Sequence, residues 1–425
     1  MRPGRTLPLV FLRICVVCGM TFGIAGRTAA AQPATDSPLL RKTVDNFEAT
    51  VPAARVVVTA FDHNPCDPFP GRGEFGWPGN LQRLQNGDLM MVHSWGYWHA
   101  SFASPRLFEP ETRRRYVAQD WPVDFAAPTG GRAMMTRSSD NGKTWSKPET
   151  VHDHYLDDGA YGLIQCPDGT LCCFVNVQAS WYGFAEAPPR FKQDIDGLNS
   201  SQYVIRSTDG GRTWGEPMFL ACPGKFYQRS HAQPLLLPGG SILWATYCAG
   251  ARSEKTGKLF GAFHRSDDSG KTWKLISTLR RDNQHVDEPA ITRLPDGRLV
   301  LTTRPDGAVF FSSDEGVTWT ESGRLVESGK FKAPWMCALS DGTIVCVATW
   351  GKLHVWIGKN GGERWTDAIP LDTSSYGYPG GVLLEDESIL TSYTQRGAAP
   401  TRLYVIRFKV NEQRDGIQVL PVGGS

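Results

Sequence analysis

Short apolar runs broken by pairs of turn residues recur along this chain, and the recurrence predicts its elements. Runs meet at Asn86-Gly87, Asp168-Gly169, Gly239-Gly240, Asp296-Gly297, Asp341-Gly342 and Asp386-Glu387. Flanks such as Ala290–Leu294 and Arg298–Thr303 read as strands, so each junction predicts a β-hairpin. A second pattern, S-x-D-x-G-x-T-W, interleaves with the first. It runs from Ser138 to Trp145, Ser207 to Trp214, Ser266 to Trp273 and Ser312 to Trp319. A worn copy, Gly358 to Trp365, keeps Gly362 and the Trp but has Asn360 where Asp stood. The octapeptide is a turn: Asp bonds backbone N–H groups ahead of it, Gly supplies a positive φ, and Trp anchors the next strand. Asp140, Asp209, Asp268 and Asp314 are therefore read as structural residues.

Hairpin plus Asp-box turn makes a unit of four strands, and the six hairpins predict six units. Radial repetition of four-stranded sheets is the β-propeller. The expected fold is all-β, a six-bladed β-propeller. Its last unit lacks an Asp box and has a single further strand, Leu403–Val410. A strand at Arg55–Phe61 is expected to complete it and close the ring, which seals two exposed edges. The expected organisation is a signal peptide at 1–31, a linker at 32–52, the propeller at 53–412 and a tail at 413–425.

Composition narrows the setting. The net charge of +2 gives no field that argues for nucleic acid. Arg2 and Arg5 precede an apolar run from Leu7 to Ile24, and Ala29-Ala30-Ala31 offers a cleavage site. That is the pattern of an export signal, so the mature chain is expected to be secreted or periplasmic. Arg13 interrupts the run and argues against a transmembrane helix, and no later stretch is long enough to span. Eight Cys follow the cleavage site without CxxC or metal-ligand spacing, and several sit in strand-like runs. They are expected to be mainly buried thiols. No cofactor or metal is expected.

Strand direction sorts the remaining chemistry. With hairpin and Asp-box turns on one face of the ring, the other connections gather on the opposite face. That mouth receives Arg72 and Trp77, Asp157 and Asp158, Arg229 and His231, and His285, Asp287 and Glu288. It also receives Trp335, Tyr376, Tyr378, Arg304 and Arg396, with His93 and His99 beside them. Glu288 opens one hairpin strand and Arg304 closes the other, so the two face each other across the hairpin's open end.

Asp boxes in six blades, with Glu and Arg flanking one hairpin, resemble the sialidase (neuraminidase) superfamily of BNR-repeat proteins. The likeness covers roughly residues 55–410. His285 to Arg304 is similar to the family stretch carrying the catalytic Glu and one substrate-carboxylate Arg. Tyr376-Gly377-Tyr378-Pro379 stands where the family places its nucleophilic Tyr. The resemblance implies that Tyr378 (or Tyr376) attacks the anomeric carbon while Glu288 takes its proton. A phenol needs such a base, because its ordinary pKa is near 10. Asp157 or Asp158 is the nearest match to the family's acid. The chain departs from the family's three-arginine clamp. Gly76-Trp77-Pro78 replaces an Arg-Ile-Pro motif, with Arg72 four residues before Gly76, and Lys332-Ala333-Pro334-Trp335 opens the fifth blade.

The function expected from this is an exo-acting glycoside hydrolase on terminal, acidic sugars of a glycan or polysaccharide. Two alternatives use the same face. One is a polysaccharide lyase or uronate-directed glycosidase employing His231 or His285 with a Tyr. The other is a glycan-binding propeller without catalysis. Substrate contacts are expected from Arg304, Arg72, His285, Trp77, Tyr376, Arg229, Trp335 and Arg396, with Trp faces available to stack on sugars.

Overall fold

The computed structural model describes residues 54–61, 74–75, 78–97, 131–152, 157–178, 200–224, 227–249, 258–327, 329–372, 378–395 and 401–423. All of these belong to one compact unit, Pro38–Ser425; the other unit, Met1–Ser37, lies outside the described residues. The expected signal peptide and linker therefore lie outside them as well.

The described chain is a six-bladed β-propeller. Blade 1 holds Pro78–Arg83, Leu89–Tyr97, Gly131–Ser138 and Glu149–His152. Blade 2 holds Asp157–Gln165, Leu171–Gln178, Ser200–Ser207 and Met218–Phe219. Blade 3 begins with Tyr227–Arg229 and Leu235–Leu236 and continues through Ile242–Ala249, Phe260–Ser266 and Lys274–Leu279. Blade 4 is Asp287–Arg293, Leu299–Arg304, Ala308–Ser312 and Thr320–Arg324. Blade 5 is Phe331–Ala338, Ile344–Trp350 and Lys352–Lys359, edged by Arg364–Trp365 and Ile369–Asp372. Blade 6 is Gly380–Leu383, Ile389–Gln395 and Thr401–Val410. Blades 2 and 3 are joined into one sheet by a parallel pairing of Tyr227 with Ser200.

All six hairpins close in the same way. In the first, Leu84 N donates to Asp88 O and Gly87 N to Leu84 O; in the last, Leu384 N donates to Ser388 O and Glu387 N to Leu384 O. The turn requires a positive φ at its fourth residue. Gly87 supplies it at 90°, and Glu387 adopts 62° in glycine's place.

The Asp boxes behave as turn chemistry dictates. Asp314 accepts hydrogen bonds from the Ser312 hydroxyl and from the Thr318 amide and hydroxyl, at 2.8, 2.9 and 2.6 Å. The Thr318 bonds hold its carboxyl below the ordinary range. The Trp that ends each box wedges against the preceding blade. Trp319 lies on Phe263, with ring centroids 4.8 Å apart, and Trp273 meets Phe174 edge-on at 5.7 Å. Trp145 joins Leu390, Leu403 and Val405, so blade 1 is fastened to blade 6. Burying each such side chain contributes roughly 1.5–3 kcal/mol.

Ring closure differs from expectation in one respect. Val56–Phe61 pairs antiparallel with the last long strand, as expected, but reaches only its residues 401–405. Residues 407–410 of that strand pair instead with Ile417–Leu420. Blade 6 is thus edged by two strands end to end, one from each end of the chain, and the ring extends into the expected tail. Alternation explains this, since Ile417 is buried and Val419 packs on the same core. Arg55 reinforces the seam through an ion pair to the buried Asp372 at 3.3 Å.

The innermost strands approach one another so closely that only glycine fits at two points. A Cβ on Gly79 would lie 2.2 Å from Val92 O and 2.9 Å from Ala160 O of blade 2. One on Gly380 would lie 2.2 Å from Gly79 O. These contacts bring the first residues of several blades to a common mouth.

Candidate active site at the propeller mouth

Three innermost strands begin alike. Glu288, Ala333 and Tyr378 each precede a proline, and they are equally spaced along the chain. Each has a positive φ, at 48°, 48° and 35°. A left-handed non-glycine residue costs about 1–3 kcal/mol, and three such residues in one place mark a site where surrounding structure imposes the conformation. The consequence is visible in blade 4. Asp287 pairs with Arg304 and Ala290 with Thr302, so the strand bulges between them. The bulge breaks the alternation of side chains, and two consecutive carboxyl groups lie against one guanidinium. Arg304 Nη1 is 3.0 Å from Glu288 Oε1, and Arg304 Nε is 3.6 Å from Asp287 Oδ2.

Glu288 is the hub. It is 2% exposed and receives three donors from three blades. Arg304 Nη1 and Tyr378 Oη each donate to Oε1 at 3.0 Å, and the Ala333 amide donates to Oε2 at 2.6 Å. Tyr378 crosses from blade 6 to reach it. Burial, then the charge of Glu288, push the Tyr378 phenol well above its ordinary range. The phenol thus holds its proton, and the Glu288 carboxylate stands in hydrogen-bond contact to accept it.

His231 flanks this pair. Its ring lies 4.5 Å from that of Tyr378 and meets Tyr161 edge-on at 4.8 Å. Its Nε2 shares a hydrogen bond with Tyr247 Oη at 2.8 Å, while its buried Nδ1 has no hydrogen-bond partner among the described residues. Burial, then the charges of Arg229 and Arg304, lower its pKa well below the usual value, so the imidazole is neutral. Asn176 fixes the backbone just before it, donating to Ser230 O at 2.7 Å and accepting from Ser230 N at 3.0 Å. Arg304 is braced in a similar manner. Arg281 grips both Asp306 oxygens at 3.1 Å, and Phe331 N donates to Pro305 O at 3.0 Å, so the turn after Arg304 is anchored twice.

The structure thus gathers Glu288, Arg304, Tyr378 and His231, with Arg229 near enough for its charge to act on His231 and Asp287. His285 is partly buried, its Nδ1 accepts from Leu259 N at 3.1 Å, and it lies near enough to Arg304 for that charge to act on it. Trp335 is not presented at the mouth: it is 4% exposed, and its ring packs on Gly381 in the core shared by blades 5 and 6. His93 is fully buried rather than exposed on the upper face. Asp157 and Asp158 open the innermost strand of blade 2, but their side chains lie outside the described residues. Arg72, Trp77, Tyr376, Arg396 and His99 lie outside them entirely. Among the described residues no group of three or more His, Cys, Asp or Glu is placed to hold a metal ion, and no helix is long and apolar enough to cross a membrane. Six of the described cysteines, Cys166, Cys172, Cys173, Cys248, Cys337 and Cys346, are buried free thiols.

Sequence reasoning gave no role to the Ala333 amide, to Tyr247 or Tyr161, or to Asp287. The Glu-Pro, Ala-Pro and Tyr-Pro steps at equal spacing are the signal that could have found the first of these.

The fold and this mouth define a class, the sialidase-like propellers, and comparison with known proteins agrees. Residues 159–390, just over half of the chain, match the BNR repeat-like domain, and the chain belongs to that family. A sialidase of Bacteroides fragilis is 26% identical over 211 residues, covering 44% of this chain and 37% of that protein. A xyloglucanase of a Paenibacillus species is 28% identical over 201 residues, covering 44% of this chain and 18% of that one. The matched part is well under half the length of both relatives. Among solved structures, a Dyadobacter fermentans protein of unknown function superposes with a TM-score of 0.59 at 19% identity, over 83% of this chain and 98% of that one. The Trypanosoma rangeli sialidase with 2,3-difluorosialic acid, described as a covalent intermediate, superposes with a TM-score of 0.54 at 16% identity, over 83% and 58%. These likenesses establish the fold.

Proposed function

We propose that this chain is an exported glycoside hydrolase that removes a terminal acidic sugar, with Tyr378 as nucleophile and Glu288 as its base. The observation that carries the reading is the 3.0 Å hydrogen bond from Tyr378 Oη to Glu288 Oε1, held from behind by Arg304 and the Ala333 amide. As Tyr378 Oη bonds to the anomeric carbon, its proton passes to Glu288 and the bond to the leaving oxygen breaks. An acid protonates that oxygen, and Asp157 or Asp158 of blade 2 is the candidate. Water then attacks the glycosyl-tyrosine and gives its proton to the acid now acting as base, while Glu288 returns its proton to the Tyr378 oxygen as that oxygen leaves. A tyrosine nucleophile is a known departure from the two-carboxylate scheme. Arg304, 32% exposed, supplies a cation for the sugar's acidic group. The basic residues and apolar run that begin the chain support export.

The test is a screen of purified protein against aryl glycosides of sialic acid, glucuronic acid and neutral sugars. Release of aryl alcohol that disappears in Tyr378→Phe supports the reading. Turnover that survives in Tyr378→Phe contradicts it.

One observation favours a second reading. Neutral His231, bonded to Tyr247 and with Nδ1 unengaged among the described residues, has the properties of a base for β-elimination at a uronate. An unsaturated product absorbing in the ultraviolet, lost in His231→Ala, would replace hydrolysis with this chemistry.

A further inference from the structure

Arg304 does not meet the mouth as an unoccupied clamp. Its Nη1 is engaged by Glu288 and its Nε faces Asp287. Both edges that could take a carboxylate bidentately already have an acidic side chain of the chain itself against one of their N–H groups. The two contacts are unequal. Glu288 lies within hydrogen-bond distance at 3.0 Å, whereas Asp287 stands off at 3.6 Å. The other oxygen of Asp287, Oδ1, is buried and has no hydrogen-bond partner among the described residues. Two carboxyl groups on adjacent residues, sharing one guanidinium away from water, cannot both carry charge at small cost. Glu288 has three donors from three blades to stabilise it, whereas Asp287 has only the adjacent Glu288 amide and the more distant Arg304 guanidinium among the described residues.

We propose that Asp287 is a specificity-determining residue that works as a neutral carboxylic acid, leaving the Nε edge of Arg304 to an anionic group on the substrate and donating its own proton to that same anion. The inference rests on reading the mouth as a sugar site. It adds a recognition element that makes the site select a carboxylate or sulfate over a hydroxyl. The charged and titratable groups facing Asp287 are Glu288 and Arg304 on its own blade and Arg229 on blade 3, with Tyr378 of blade 6 beyond Glu288. Burial first, then the Glu288 charge, push the Asp287 carboxyl up to about 8, against the pull of the two arginines. The neutral acid therefore persists up to mildly alkaline pH, and ionisation above it turns an anion donor into a repelling charge.

The experiment is titration calorimetry of the full chain with N-acetylneuraminic acid, glucuronic acid and, as neutral control, glucose, at several pH values from 6.5 to 9.5. The wild type is expected to prefer one of the acids to glucose, with affinity falling about tenfold per pH unit once Asp287 ionises. Asp287→Asn, which mimics the neutral acid, is expected to keep the acid's affinity within about threefold at pH 6.5 and to lose the alkaline fall. Affinity independent of pH in the wild type, the same alkaline fall in Asp287→Asn, equal binding of glucose, or no binding of either acid would each overturn the proposal. The wild-type profile decides even if the Asn variant fails to fold. Failure here is separable from failure of the hydrolase reading, which is judged by Tyr378-dependent release of aryl alcohol and not by binding.

Discussion

Carboxylates at the two ends of this ring do opposite jobs, and their partners decide which. At the bottom face, Asp140, Asp209, Asp268 and Asp314 each take hydrogen bonds from a local Ser hydroxyl and a local Thr amide and hydroxyl. All their chemistry is spent within eight residues of chain, and their pKa values are lowered. At the mouth, Glu288 and Asp287 are held by groups from distant parts of the sequence, across blades 3 to 6. Local satisfaction makes an acid a folding device, whereas an acid whose partners are a phenol and a guanidinium can move a proton.

The largest effect expected from breaking this contrast is at the mouth. Glu288→Gln should lower kcat on a competent glycoside by about 10²–10⁴-fold, while far-ultraviolet circular dichroism stays unchanged. Loss of the dichroism signal instead would assign Glu288 to the fold. Next comes the contact that brings the innermost strands together. Gly79→Ala sets a Cβ against Val92 O and Ala160 O, and should destabilise by about 1–3 kcal/mol or more. An unchanged thermal midpoint would contradict so close an approach. On the bottom face, Ser266 accepts from Gly270 N at 2.9 Å and donates to Asp268 at 2.8 Å. Ser266→Ala should cost about 1–3 kcal/mol, with turnover per folded molecule unaltered; a selective loss of kcat would blur the distinction between the two faces.

Stability against pH separates the faces by its sign. Asp268 is lowered to about 2 despite some burial, by bonds from Thr272 and Ser266. Its contribution is present above the ordinary carboxylate pKa of about 4 and is lost as pH falls towards 2. Asp287 is raised to about 8 by burial and by Glu288. Its contribution is present below pH about 4 and is lost as pH rises through 8. Denaturant midpoints at pH 2.5, 5 and 9 should therefore decline on both sides, and Asp287→Asn should flatten only the alkaline side.

How much of this was legible follows from the same contrast. Asp boxes and hairpin turns are local, so their residues spell them out in order, and the six blades follow. Glu288 and Arg304 were readable because one hairpin separates them, and Tyr378 because it opens the last blade. Asp287 was not assignable, because strict alternation in a strand would turn it away from Glu288's partner; only the bulge at the proline step brings both to Arg304. The Ala333 amide is backbone and has no signature of its own. Trp335 looks the same in sequence whether it stacks on sugar or fills a core, and Gly381 beneath it decides for the core. The strand at Ile417–Leu420 is short, and its partner's free edge exists only once Val56–Phe61 has taken the other half.

The central claim is that Tyr378, fired by Glu288, carries the glycosyl group. The most direct measurement is mass spectrometry of peptides after reaction with a fluorinated glycosyl fluoride of the acidic sugar that the screen identifies. The account predicts one added glycosyl unit on Tyr378, absent in Tyr378→Phe. Labelling of another residue, or full turnover of substrate with Tyr378 never modified, would contradict it.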